Sequence, residues 1–268
     1  MARRAIVRSA LAGSFRNWRL WLIQAIANPI LFALFAVWLL IPVANRWYVV
    51  LNAVVALVIA VSIVVLHAGT LNYFHDRKRS EGALLKPAFV RALRNILAVA
   101  VCVAVFYLLW TLMDRADAYS ELLPAYIRSM MPAALRRHIT LAFLQYSYAW
   151  IAFAVRWLVI PGLVLPFTLA AAEMGFRGFW RAGFAMWKRS VWCLRYWLVL
   201  ALAVLVGVIA TQEIVAWTPN FETSTLGHET FSVVVRVIFA YALGLWAWML
   251  TCSVVGISSI GAEDGAAH

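Results

Sequence analysis

The chain has 268 residues, of which 65% are hydrophobic and 13% are charged. An ordinary soluble domain carries about 25% charged residues, so this composition excludes a soluble globular protein and predicts a membrane protein. The formal charge of +12 at pH 7 does not indicate a nucleic-acid partner, because the sequence lacks the polar surface on which nucleic-acid-binding proteins expose their cations.

Six apolar segments are long enough to cross a bilayer, whose hydrocarbon core needs about 20 helical residues. They cover residues 20–41, 48–74, 96–113, 147–172, 192–217 and 231–260. The first follows a basic N-terminus but has no A-x-A-like cleavage site at its end, so we predict a retained helix and not a signal peptide. Between the third and fourth segments, "PAYIRSMMPAALRRH" predicts a short outer helix that is broken at Pro132.

Lysine and arginine are distributed unevenly between the two sets of loops. The N-terminal tail and the loops after the second and fourth spans hold 16 of them, the other loops hold five, and Arg156 and Arg236 fall within spans. Because short cytoplasmic loops are enriched in cations, both termini are predicted to be cytoplasmic. The predicted fold is an all-α membrane protein with six transmembrane helices, forming one domain over residues 1–268.

The loop after the second span predicts a basic amphipathic helix. A period of 3.6 residues separates its cations from a continuous apolar face. The cations are Lys86, Arg91 and Arg94, and the apolar residues are Leu85, Phe89, Ala92, Leu93 and Ile96.

The loop after the fourth span predicts a second helix of the same kind, with a stripe of cations beside a stripe of large apolar residues. Its cations are Arg177, Arg181, Lys188 and Arg195, and its apolar stripe contains Phe176, Trp180, Phe184, Trp187 and Val191. Such a helix lies in the membrane interface with its aromatic rings inserted and its cations near lipid phosphates. We therefore expect both helices to bind anionic lipid headgroups or a partner membrane protein on the cytoplasmic side.

The two basic helices indicate an internal repeat over residues 48–113 and 147–217. Each unit consists of a span, an interfacial basic helix and a second span. Aligning the two helices pairs Lys86 with Arg181 and Phe89 with Phe184. We interpret the units as parallel pseudo-repeats.

The run "AEMGFRGFWRAGFAMWKRSVWCLRYWLVLALAVL" resembles a pattern found in bacterial six-span integral-membrane families. These families include the membrane domain fused to some glycerophosphodiester phosphodiesterases, where a basic–aromatic interfacial helix also leads into a span. The resemblance implies a multi-pass protein of the bacterial inner (plasma) membrane. No segment of the chain resembles the catalytic domain of those fusions, so their enzyme activity is not implied.

Three charged residues within the spans are candidates for an intramembrane polar site: Arg156, Glu213 and Arg236. A central arginine costs about 2.5–3.5 kcal/mol on insertion scales and usually faces a partner or a water-filled cavity. We predict an ion pair between Glu213 and either Arg156 or Arg236. The alternative is that the fourth span begins later and that Arg156 extends to the outer headgroups.

A transport function is the first alternative to lipid or partner binding. Pro161, Gly162 and Pro166 interrupt the fourth span, and broken helices line the binding sites of many transporters. The second span, its counterpart in the predicted repeat, has no proline. A small transporter or permease subunit using Arg156 is therefore not the preferred function.

A lipid-modifying enzyme is the second alternative, because His67, His75 and Asp76 gather near the cytoplasmic end of the second span. The sequence contains no HExxH, GxSxG or Walker-type motif. We accordingly predict no catalytic residue, cofactor or metal site. The preferred prediction is a non-enzymatic, membrane-organising or accessory protein that engages anionic lipid or a partner through its basic helices.

Overall fold

The computed structural model describes residues 5–42, 44–79, 84–177, 179–217 and 226–259, and all regular secondary structure in these ranges is helical. The helices are α1 Ala5–Arg16, α2 Trp18–Leu39, α3 Arg46–Arg79, α4 Leu85–Arg94, α5 Ile96–Asp117, α6 Leu122–Met130, α7 Ala133–His138, α8 Leu141–Met174, α9 Phe179–Val191, α10 Leu194–Ala216 and α11 Leu226–Ser258.

Six helices within the described ranges are long and apolar enough to cross a membrane: α2, α3, α5, α8, α10 and α11. They correspond one by one to the six predicted spans, so the all-helical, six-span class is confirmed. Between 11% and 28% of the most apolar window of each helix is buried inside the protein. The remaining apolar surface faces outward, as it does where lipid replaces water as the solvent.

The interior is formed mainly by α3, α8, α10 and α11, with α1 packed against the last turns of α11. Leu71, Leu169 and Met249 are fully buried there. Gly256 lies so near α3 that an added Cβ would be 2.9 Å from the backbone nitrogen of His75. A small residue at this position allows two helix backbones to approach closely, which is a common device in membrane helix packing.

The prediction that prolines interrupt the fourth span is wrong. Helix α8 is continuous from Leu141 to Met174 and contains one π-helical turn at Val155–Val159. The turn ends two residues before Pro161, which cannot donate an intrahelical hydrogen bond. Pro166 likewise leaves the carbonyl of Gly162 without its usual donor, and the buried hydroxyl of Tyr196 donates to that oxygen at 2.7 Å. The helix remains continuous because the π turn and α10 compensate for its prolines.

The contacts between helix ends define one end of the bundle, which we call the basic end. Asn95, which follows α4, contacts the last turn of α8, and Ser190 of α9 contacts Ser258 of α11. Helix α1 contacts α11 at the same end through Gly13 and Ser253. At the opposite end, α6 and α7 are separated at Pro132, as predicted.

Candidate functional site

Helix α9 presents a surface of aromatic rings and cations outside the bundle. Trp180 is 75% exposed and Phe184 is 58% exposed. The cations Arg177, Arg181 and Lys188 are also exposed. We call these five residues, together with Phe176, which is 61% exposed, the α9 surface. Phe176 and Arg177 lie just before the helix, which begins at Phe179.

The opposite side of α9 is fixed to the bundle. Phe179, Gly183 and Met186 are buried, and an added Cβ at Gly183 would be 2.6 Å from the ring of Phe167. The hydroxyl of Ser190 lies 2.9 Å from that of Ser258. These contacts hold the α9 surface in one orientation relative to the spans.

The smaller helix α4 keeps part of the predicted cationic face. Ala88 and Ala92 are buried, whereas Lys86 and Arg94 are exposed. Arg91 is turned inward, where its guanidinium forms an ion pair with Asp76. The Arg91 charge is therefore paired with a carboxylate of the protein and does not need a lipid headgroup as its partner.

Arg195, the last of the predicted headgroup-binding cations, is also partly withdrawn from the surface. Its side chain is half-buried, and its Nη1 atom is buried without a hydrogen-bond partner in the described part of the chain. Arg195 therefore lies apart from the exposed cations of α9.

A polar cluster joins α3, α4, α8 and the end of α11, and we call its five members the His75 cluster: His75, Asp76, Arg91, Glu173 and Ser259. His75, Glu173 and Ser259 have buried side chains, whereas Asp76 and Arg91 are partly exposed. The Nε2 atom of His75 lies 3.3 Å from a carboxylate oxygen of Glu173, and its Nδ1 atom lies 2.9 Å from the hydroxyl of Ser259. Arg91 approaches the other carboxylate oxygen of Glu173 at 3.9 Å. Burial of these charges is tolerated because each has a partner.

Two asparagines complete the polar contacts by binding the end of α8. Asn95 donates to the carbonyl oxygens of Ala172 at 2.9 Å and Glu173 at 3.0 Å. Asn72 donates to Ala172 at 3.3 Å. Carbonyl groups in the last turn of a helix have no intrahelical donor, so these side chains satisfy them. Gly175 follows with φ of +61°, a conformation that favours glycine after a helix.

Ser259, His75 and Glu173 are the residue types of a catalytic triad and contact each other in that order. The burial of the serine and the histidine does not support catalysis. His75 and Ser259 are each 1% exposed, so a substrate has no access to the hydroxyl. Among the described residues, no group of three His, Cys, Asp or Glu side chains could hold a metal ion. The geometry fits a clamp that connects helix ends.

The predicted pairing of Glu213 with Arg156 is wrong. Arg156 lies in the π-helical turn of α8 and forms ion pairs with Asp114 and Asp117, each at 2.7 Å. Its guanidinium also lies 5.2 Å from the ring centroid of Trp110. Both acids belong to the last turn of α5 and are about half exposed, so Arg156 reaches the end of a span and does not need a partner at mid-membrane.

The alternative pairing of Glu213 with Arg236 is also wrong. Arg236 donates to the carbonyl oxygens of Val215 and Trp217 at the end of α10. A cation is favourable at a helix C-terminus because the last carbonyl groups carry partial negative charge. Glu213 itself is exposed.

Sequence reasoning singled out His75 and Asp76 but missed Glu173, Ser259, Asn72 and Asn95. A usable signal was present, since Asn72 and Glu173 are polar residues in the last turns of long apolar helices. Polar side chains at such positions usually contact each other or backbone groups, because lipid offers no hydrogen bonds. The partner of each residue could not be read from the chain order.

These features define the class of the chain, which is a multi-pass α-helical membrane protein with six candidate spans. Comparison with protein-family models, curated proteins and solved structures gives no match. The resemblance of the α9 segment to bacterial six-span families stays a prediction.

Proposed function

We propose that this protein is a non-enzymatic membrane-organising or accessory protein of the bacterial inner membrane, which gathers anionic phospholipid at its basic end. The observation that carries the proposal is the α9 surface. Exposed aromatic rings lie beside exposed cations on a helix whose other side is fixed to the bundle.

The chemistry of this surface suits an anionic leaflet. Tryptophan and phenylalanine at an interface insert between acyl chains and headgroups, while cations on the adjacent face contact phosphates. Each juxtamembrane cation near an anionic surface contributes about 1 kcal/mol. Because α9 is held against α8, little conformational freedom remains to be lost when lipid binds.

The two alternative functions have less support. The transport alternative relied on an intramembrane Arg156 and a broken fourth span, whereas α8 is continuous and Arg156 is paired with Asp114 and Asp117 near the end of the span. Lipid modification relied on His75 and Asp76, which are occupied within the His75 cluster.

The proposal is tested by measuring lipid preference of the full chain in bilayers that contain labelled phosphatidylglycerol or phosphatidylcholine. Neutralising Arg181 alone with Gln is expected to lower the relative association constant of phosphatidylglycerol about fivefold, which corresponds to about 1 kcal/mol. The triple change Arg177→Gln, Arg181→Gln and Lys188→Gln is expected to remove most of the preference.

The matched control neutralises three exposed arginines of the opposite end: Arg115, Arg136 and Arg137. That variant has the same net charge as the α9 triple variant and should retain the preference. An α9 triple variant that still prefers phosphatidylglycerol as strongly as the wild type would refute the proposal.

A further inference from the structure

A cavity of about 490 Å³ opens at the basic end between α1, α3 and α11. Helix α1 lines it with one face, on which Ser9, Gly13 and Arg16 follow each other at helical spacing. Helix α3 contributes Arg77, and α11 contributes Ser253. The cavity shares no residue with the α9 surface.

Three polar groups that line this cavity have no partner in the part of the chain that the structure describes. Arg16 and Arg77 make no hydrogen bond or ion pair with any residue in the described part of the chain. The nearest acid in sequence to Arg77 is Asp76, whose carboxylate is already paired with Arg91. Within the described residues, neither guanidinium charge is therefore neutralised by a neighbouring carboxylate.

Ser253 is the third of these groups. It is 1% exposed, and its hydroxyl has no hydrogen-bond partner within the described ranges. Gly13 leaves room for it, because an added Cβ on Gly13 would be 2.8 Å from the Ser253 hydroxyl oxygen. A buried hydroxyl without a partner is unfavourable, and such groups usually have a ligand or an ordered water in the functional state.

We propose that the cavity binds a phosphate monoester, with Arg16 and Arg77 pairing with the phosphate oxygens and Ser253 donating to one of them. Two guanidinium groups match the charge of a dianion, and donors from three helices suit the several acceptor directions of a tetrahedral group. The buried ring of Phe74 supplies an apolar wall for the remainder of the molecule. The proposal is independent of lipid binding at α9, because its residues lie on α1, α3 and α11.

The phosphate can be carried by a lipid headgroup or by a soluble molecule, and the choice of probes separates these sources. The experiment uses the purified full chain in neutral detergent with dioctanoyl phosphatidic acid, inorganic phosphate and, as a phosphate-free control, dioctanoylglycerol. Binding of phosphatidic acid alone identifies a lipid headgroup site. Binding of inorganic phosphate with similar affinity identifies a site for soluble phosphate compounds.

Replacing Arg16 or Arg77 with Gln is expected to raise the Kd of the phosphate-bearing probe about tenfold or more, because each variant loses a charge-assisted hydrogen bond. Replacing Ser253 with Ala is expected to raise the Kd about threefold. These side chains have no partner among the residues that the structure describes, so all three variants should keep the Tm of the wild type without ligand.

The matched control is Arg8→Gln, which neutralises an exposed arginine of α1 that does not line the cavity. This variant should bind the probe with the affinity of the wild type. The proposal is overturned if neither phosphate-bearing probe binds the wild type, if dioctanoylglycerol binds as tightly as phosphatidic acid, or if Arg8→Gln weakens binding as much as Arg16→Gln.

Discussion

Charged side chains within apolar helices are stabilised here by partners that are specific to each residue. Arg156 is paired with aspartates of α5, and Arg236 binds backbone carbonyl groups at the end of α10. Glu173 is the most enclosed of the described carboxylates in ion pairs, with a side chain that is 8% exposed. Removing a partner from such a site leaves an uncompensated charge, so single substitutions within the His75 cluster should be costly.

The first prediction compares two glutamates in membrane helices. Glu173→Ala should lower the free energy of unfolding by about 3 kcal/mol, because His75 and Arg91 lose a buried carboxylate. Glu213→Ala removes an exposed carboxylate and should change the free energy of unfolding by less than about 0.5 kcal/mol. Denaturant titration of both variants in the same detergent measures the two changes in unfolding free energy. Equal changes would contradict the conclusion that the His75 cluster holds the helix ends together.

The second prediction concerns the hydroxyl of Tyr196, which donates to the Gly162 carbonyl that Pro166 leaves without a donor. Tyr196→Phe should lower the free energy of unfolding by about 1–3 kcal/mol, since a buried acceptor becomes unsatisfied. Pro166→Ala supplies a backbone N–H to the same carbonyl, so Tyr196→Phe should cost less in that background. Additive effects in the double variant would show that the hydroxyl does not substitute for the missing N–H.

At the scale of elements, α9 differs from an isolated amphipathic helix because it has three faces. One face packs on α8, a second exposes aromatic rings, and a third exposes cations. The packed face includes Gly183, which allows the ring of Phe167 to lie against the helix backbone. The orientation of the exposed aromatic face therefore depends on Gly183, which lies on the packed face of the helix.

The third prediction follows from this contact. Gly183→Ala should destabilise the protein by about 1–3 kcal/mol, because the new methyl group overlaps the Phe167 ring and displaces α9. Trypsin should then cleave faster after Arg181 and Lys188. Gly244→Ala is the matched control, since an added Cβ at Gly244 meets nothing within 4 Å.

The Gly244→Ala variant should be neutral or more stable by up to about 1 kcal/mol, as expected for alanine in a helix. If Gly183→Ala also leaves the unfolding free energy and the cleavage rate unchanged, the packing of α9 against α8 is not what positions the α9 surface.

At the scale of the whole molecule, the uneven distribution of cations predicts which end faces the cytoplasm. All three lysines lie at the basic end: Lys78 in the last turn of α3, Lys86 in α4 and Lys188 in α9. Because cytoplasmic loops are enriched in lysine and arginine, we expect that end to lie inside the cell. This orientation determines which leaflet the α9 surface and the α1–α3–α11 cavity face.

The fourth prediction tests that orientation with an amine reagent that does not cross membranes. None of the three lysines should be labelled in sealed cells with an accessible periplasm, and all should be labelled after permeabilisation. Arg136→Lys introduces a lysine on α7 at the opposite end and should be labelled from outside, which controls for reagent access. Labelling of Lys86 or Lys188 in sealed cells would reverse the predicted orientation.

Much of the architecture could be predicted because helix length and hydrophobicity are local properties. The six spans, the helices at Leu85–Arg94 and Phe179–Val191, and the break at Pro132 all follow from composition over short windows. The predicted partners of Arg156, Arg236 and Glu213 were wrong, because the sequence does not specify which helices are neighbours. The duplication of residues 48–113 and 147–217 stays a prediction.

The sequence by itself determined the class of the protein and the arrangement of its charges along the chain, since the cost of placing polar groups in lipid acts on each segment separately. Only the tertiary structure decided that Arg91 turns towards Asp76 and that Glu173 contacts His75. It also brought Arg16, Arg77 and Ser253 to one cavity. These contacts join residues that are distant along the chain, and their geometry depends on how closely the helices pack.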